Sequence, residues 1–166
     1  MENKINIFVV EDEPEVMDAI VRDLEEFEET FPIEIADNAE EALELIKTVL
    51  GRGDRIGIIL CDHVLPGKNG VELLVDMQKD PETARTRKVL ITGQAGLDET
   101  VRAVNEADLK HYIAKPWKKE ELVDITRKLL TDYVLEHEEN PMPFMSILDS
   151  ERIAEHLRKD KGITDS

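Results

Sequence analysis

Four places in the sequence set a reactive side chain at the end of an apolar run. INIFVV (5–10) leads into Glu11, Asp12 and Glu13, and IGIILC (56–61) leads into Asp62. KVLIT (88–92) ends on Thr92, and HYIA (111–114) leads into Lys115. Clustered carboxylates repel one another unless a cation holds them, and an all-oxygen donor set suits Mg²⁺, which keeps several waters and takes one or two protein carboxylates. A free carboxylate beside such a cation, an ammonium and a hydroxyl describes a place for a phosphoryl group. The carboxylate attacks phosphorus, while the positive groups and the hydroxyl stabilise the equatorial oxygens. Singly, each feature has a plainer explanation. An acidic triplet often opens a helix, favoured there by the helix dipole, and that is the reading adopted for Glu13 and Glu15. A strand-end Asp commonly caps a helix, and Lys-Pro commonly makes a turn. Their joint occurrence at four strand ends is what points to chemistry.

The elements that must bring these residues together follow from hydrophobic spacing. The spacing predicts strands over 5–10, 33–36, 56–61, 88–92 and 111–114, all short and apolar in the manner of strands covered on both faces. Helical spacing runs from Pro14 to about Glu28, through Val16, Ile20, Leu24 and Phe27. Further helices are predicted from Ala39 to Leu50 with Asp37 or Asn38 as cap, over 71–79, over 98–105, and from Lys118 to Leu130 or beyond. Pro66, Gly67 and Gly70 turn the chain between Asp62 and the third helix, and GRGD (51–54) is a turn. Five strands alternating with five helices predict an α/β fold, a parallel sheet with helices on both faces. In such a sheet ligands bind past the carboxyl ends of the strands, where Glu11, Asp12, Asp62, Thr92 and Lys115 all fall.

Composition narrows the function classes. The chain of 166 residues carries a net charge of −17. Residues 1–45 hold sixteen acids against two bases, whereas 46–90 hold six against eight. That balance argues against nucleic-acid binding, which needs clustered Lys and Arg to meet phosphates, and suits protein partners or a site that gathers a cation. EEFEE (25–29) is read as a solvated face. The apolar runs are too short to span a bilayer, the N-terminus lacks the pattern of a secretory signal, and the single Cys61 is a small buried filler. A cytoplasmic location with no membrane contact is expected. After about residue 131 the composition shifts to LEHEENPMPF, charged and then broken by proline, followed by an amphipathic stretch with Ile147, Leu148, Ile153, Ala154 and Leu157. Residues 1–131 are therefore expected to form one domain and 132–166 a C-terminal extension, charged and partly helical.

FVVEDEP, CDHVLPGKNG, VLITGQ and YIAKPW, in this order and spacing, resemble the receiver domain of two-component response regulators over residues 4–131. The resemblance implies a flavodoxin-like, doubly wound five-stranded sheet of order 2-1-3-4-5. It implies that Asp62 is the phosphoacceptor, served by a sensor histidine kinase or a histidine phosphotransfer protein. Mg²⁺ would be bound by Asp12, by Glu11 mostly through a water, by Asp62 and by the backbone carbonyl of Val64. Thr92 and Lys115 would contact the phosphoryl oxygens, Thr92 and Tyr112 would form the switch pair, and the Lys115–Pro116 bond would be cis. The output would be a changed surface of helix four, strand five and helix five, read by a downstream protein effector or used in a homodimer. Such receivers catalyse their own phosphorylation and dephosphorylation and are not classed as enzymes. Glu11 stands where Asp is common in the family, one methylene longer. Val64 and Gln94 fall at positions that tune dephosphorylation, and because Val64 offers no side chain to orient a water, slow self-hydrolysis is expected. His63 is read as a partly exposed loop residue.

Two other readings compete. A scaffold of this fold that never accepts phosphate would not need Asp12, Asp62, Thr92 and Lys115 together. A Mg²⁺-dependent phosphatase or phosphotransferase acting on small molecules would need a further general acid or a substrate-binding insertion. The 35 residues after Thr131, nine acids to four bases, are too few and too acidic for a winged-helix DNA-binding module. They are read as a docking or dimerising segment, as a linker in a stand-alone regulator, or as the start of a longer chain. Met142, Phe144 and Met145 are expected to pack locally.

Overall fold

The computed structural model describes residues 3–93 and 95–164, with side chains to Lys159. Strands β1 (Ile5–Val10), β2 (Ile33–Ala36), β3 (Arg55–Cys61), β4 (Arg87–Thr92) and β5 (His111–Ala114) form one sheet of order β2-β1-β3-β4-β5. Every neighbouring pair is parallel. The connections are α1 (Pro14–Asp23), α2 (Ala39–Gly51), α3 (Gly70–Lys79) and α4 (Leu97–Ala107), with α5 (Lys119–His137) and α6 (Ser150–Thr164) following β5. This is the flavodoxin-like doubly wound arrangement, with helices on both faces.

Strand alternation divides the core in two. Ile7, Val9, Ile58, Leu60, Val89, Ile91 and Ile113 face α1 and α5. Phe8, Val10, Ile59, Cys61 and Leu90 face the side of α2, α3 and α4. Cys61 is fully buried, as its setting in an apolar run suggested. The register then fixes the upper edge of the sheet: Val10 lies opposite Cys61, Cys61 opposite Leu90, and Thr92 opposite Ala114. Glu11, Asp62 and Lys115 each follow the last residue of their strand, so they emerge side by side.

Several boundaries differ from the sequence reading. The first helix stops at Asp23 rather than near Glu28, because the chain tightens into a 3-10 turn over Glu25–Phe27. That turn places Phe27 and Phe31 in the core and leaves Glu25, Glu26, Glu28 and Glu29 exposed. Helix α5 runs beyond Leu130, as the sequence reading allowed, through Thr131 to His137, since Leu130, Tyr133 and Val134 keep the buried spacing. It ends where Glu138 turns extended, ahead of Pro141. Gly51 belongs to α2, so the turn is confined to Arg52–Asp54, with Gly53 at a φ of 89°.

The extension is packed on the sheet domain. Phe144 stacks on Phe31 with ring centroids 5.5 Å apart, and Leu148 and Ile153 are buried in the α1–α5 core. The Asp149 amide donates to the Thr131 hydroxyl at 2.9 Å, and Arg152 bridges both carboxylate oxygens of Asp132 at 2.7 and 2.8 Å. The Met142–Met145 cluster packs through Phe144 and Met145, while Met142 is exposed. Among the described residues, no helix is long and apolar enough to cross a membrane.

Candidate functional site

The β3–α3 connection sets the geometry around Asp62. Asn69 caps α3 by accepting from the Glu72 amide at 2.9 Å, and its own amide group donates to the Glu72 carboxylate at 2.7 Å, a reciprocal cap that fixes the helix start. Gly70, the first residue of α3, lies directly against the backbone of Asp62: a Cβ there would sit 2.0 Å from the Asp62 carbonyl oxygen. Gly67 turns the loop at a φ of 76°, a conformation glycine adopts without strain. The sequence marked Gly70 as a turn residue; its close approach to Asp62 needs the packed helix to be seen.

At the sheet edge, Lys115 reaches two acids. Its ammonium donates to Glu11 Oε1 at 2.6 Å and to Asp62 Oδ2 at 2.8 Å. Asp62 and Glu11 are only 3% and 1% exposed, while Lys115 is partly exposed, so these contacts are partly shielded from water. Asp62 Oδ1 accepts from the Val64 amide at 3.3 Å, and Glu11 Oε2 accepts from the Glu13 amide at 3.1 Å. Lys115 precedes a cis peptide bond to Pro116, as the family resemblance implied.

Charge states follow from these contacts. Burial pushes the Asp62 carboxyl up, but hydrogen bonds from Lys115 and Thr92, the Lys115 charge and the Val64 amide outweigh it, and the net direction is down. Glu11 moves the other way, since burial dominates and the Asp62 charge adds to it, with Lys115 only partly compensating. For Lys115, burial works against the ammonium, yet Asp62 and Glu11 hold its pKa above the ordinary value. The Lys115 ammonium is thus shared by two carboxylates whose settings differ, with Asp62 the better supplied with hydrogen bonds. Burial pushes the neighbouring Cys61 thiol up, leaving it protonated.

The carboxylates of Glu11, Asp12, Glu13 and Asp62 can each offer one oxygen, all within 4.8 Å of one another. Lys115 is the single basic side chain paired with them among the described residues. Four acids against one ammonium leave an all-oxygen, negatively charged donor set, which fits a hard divalent cation. Glu13, read from sequence as a helix-start residue, occupies the N-cap position of α1 but makes no side-chain cap bond there. Its place at the helix start is thus as read, and its carboxylate also lies within the acidic cluster. The missed signal was the tight Glu11–Glu13 turn, which folds the acids toward one point.

Thr92 is buried at the end of β4. Tyr112, on β5, is half-buried, and its hydroxyl donates to the Thr92 carbonyl at 3.1 Å. The Val64 side chain is 46% exposed, and His63 is partly exposed, as expected for a loop residue. Gln94 lies outside the described residues.

Comparison with known proteins fits this arrangement. The family model for the response regulator receiver domain matches residues 7–127. The chain belongs to that family. It is 32% identical over 128 residues to the hydrogenase transcriptional regulatory protein HoxA of Cupriavidus necator, covering 76% of this chain and 24% of that protein. It is 30% identical over 125 residues to the transcriptional regulatory protein CpxR of Escherichia coli K12, covering 75% and 48%. The chain thus spans about a quarter of the first relative's length and about half of the second's. A CheY-like response regulator receiver domain from Methanospirillum hungatei superposes with a TM-score of 0.69 at 28% identity, covering 81% of this chain and 99% of that one. The signal receiver domain of an HD domain-containing protein from Pseudomonas fluorescens, at 22% identity, shares the fold with a TM-score of 0.72 over 84% and 96% of the two chains. The matched region is thus a receiver domain of the kind found in response regulators.

Proposed function

We propose that this receiver accepts a phosphoryl group on Asp62 from a phosphohistidine donor, a sensor histidine kinase or a histidine phosphotransfer protein, and then presents a changed surface to a downstream effector protein. The observation that carries the reading is the pairing of a buried, anionic Asp62 with Lys115 at 2.8 Å inside an otherwise acidic donor set. In the reaction, a carboxylate oxygen of Asp62 forms a bond to phosphorus as the phosphorus–nitrogen bond of the donor breaks. The electron pair leaves with the imidazole. Asp62 comes to this step already deprotonated, and Lys115 is placed to turn from the carboxylate to the incoming oxygens. Glu11, Asp12, Asp62 and the Val64 carbonyl are the groups that would hold Mg²⁺. When bound, the ion neutralises charge on the phosphoryl oxygens.

The switch is assigned to Thr92 and Tyr112. A phosphoryl group on Asp62 adds charge and strong acceptors, and the Thr92 hydroxyl is drawn to them. Because the Tyr112 hydroxyl is bonded to the Thr92 carbonyl, a shift of Thr92 changes the setting of Tyr112. Helix α4 carries exposed Leu97, Val101 and Val104 at helical spacing, an apolar stripe on the α4–β5–α5 surface for an effector or a second copy to cover. We assign residues 1–131 to the phosphoacceptor unit, 132–166 to an extension packed on it, and the whole to the cytoplasm.

Beryllofluoride with Mg²⁺, a mimic of the acyl phosphate, tests the switch by amide NMR. Shifts at Thr92, Tyr112 and along α4 are expected. Shifts confined to the neighbourhood of Asp62 would remove the proposed output surface.

A further inference from the structure

At the β2 edge of the sheet, away from α4 and β5, a cleft of about 280 Å³ opens between α1 and α2. Its floor is apolar, formed by Met17 and by Ile35, which is 50% exposed although it sits in a strand. Its rim is Asp12, Asp18, Asp37 and Glu41, beside the buried Glu11, whose carboxylate is paired with Lys115. None of these four carboxylates is in an ion pair among the described residues. The crowding is felt locally, since the Asp37 side chain holds the Glu41 carboxyl above its ordinary value. Elsewhere the acids of this surface are partly answered, as where Arg127 meets Glu26 and Arg52 meets Glu34 and Asp54.

The volume lies at or below the lower end for small-molecule pockets, so the cleft is sized for one side-chain anchor. An uncompensated acidic rim around an apolar floor selects an anchor flanked by positive charge. We propose that this cleft docks a basic segment of a protein partner, in which one aliphatic side chain covers Ile35 and adjacent Lys or Arg residues meet Asp18, Asp37 and Glu41. Asp12 belongs both to the rim and to the acidic cluster beside Asp62.

Two short amidated peptides test this, one with leucine flanked on both sides by lysine and arginine, the other with serine in place of the leucine. They are titrated into the full chain and followed by amide NMR. The leucine peptide is expected to bind roughly tenfold more tightly, equivalent to about 1.4 kcal/mol, with saturable shifts at Ile35, Asp37 and Glu41. Ile35→Ser, at an exposed position where folding is retained, should erase the difference between the peptides. Asp37→Asn with Glu41→Gln should weaken both. Equal affinity of the two peptides, or shifts spread over the acidic surface around Glu25–Glu29, would overturn the proposal while leaving Asp62 as phosphoacceptor untouched.

Discussion

Lys88 is the residue whose setting the sequence disguised. In KVLIT it reads as the polar start of a strand, yet it is 1% exposed, and its ammonium donates to Gln78 Oε1, the Ala84 carbonyl and the Thr86 carbonyl at 2.8, 2.9 and 3.0 Å. Nothing in the local pattern shows that three acceptors from α3 and the loop after it converge there. Burial brings its pKa down to about 8 from 10.5, with Arg87 and Lys110 adding to the effect and Asp108 opposing it. Below pH 8 both folded and unfolded chains carry the proton. Between about 8 and 10.5 the folded chain has shed a proton that the unfolded chain keeps, so stability from this group rises with pH across that window. Urea unfolding should show this rise in the wild type relative to Lys88→Met, and parallel pH profiles would refute it. At Val64 the expectation is simpler, because an aliphatic residue two positions after Asp62 cannot orient a water. Val64 is 46% exposed, and slow self-hydrolysis is the outcome to be tested. Val64→Asn should shorten the phosphoryl lifetime by about tenfold or more, given what a positioned polar group contributes to such steps. A wild-type phosphoryl group lost within seconds would contradict the account.

The strands were the most legible elements, since runs such as IEIA and HYIA are short, apolar and bounded by polar or turn residues. Helix ends were less so, because propensity does not show where tertiary packing stops. α5 outruns Leu130 because Tyr133 and Val134 find neighbours in the core and in Arg55 and Arg87, whose guanidinium groups lie over the Tyr133 ring. The apolar spacing of 147–157 announced a helix with a buried side but not the surface it meets. That surface is α5, with Phe31 joined by Phe144. Ile153 is 1% exposed and Leu157 52%. If α6 is packed as described, Ile153→Ala should lower stability by about 2–4 kcal/mol, whereas Leu157→Ala should cost well under ~1 kcal/mol. Equal, small effects in denaturant unfolding would return the extension to the status of a linker.

The molecule brings together groups that are remote in sequence, and the parallel register is the device. Motifs at four strand ends can be read as one site only because Val10, Cys61 and Leu90 are set abreast, with Thr92 abreast of Ala114. The alternation of elements foretold that convergence, and the chain's family membership agrees with it. What the alternation could not supply was the state of the charges. The opposed shifts of Glu11 and Asp62, from nearly equal burial, depend on which carboxylate receives more hydrogen bonds. The central claim, that Asp62 accepts a phosphoryl group in a reaction needing Mg²⁺, is tested most directly by intact-mass spectrometry after incubation with acetyl phosphate. A single phosphoryl adduct is expected, absent in Asp62→Asn and absent when the metal is chelated. An adduct that survives in Asp62→Asn, or no adduct on the wild type with either acetyl phosphate or a cognate kinase, would contradict it.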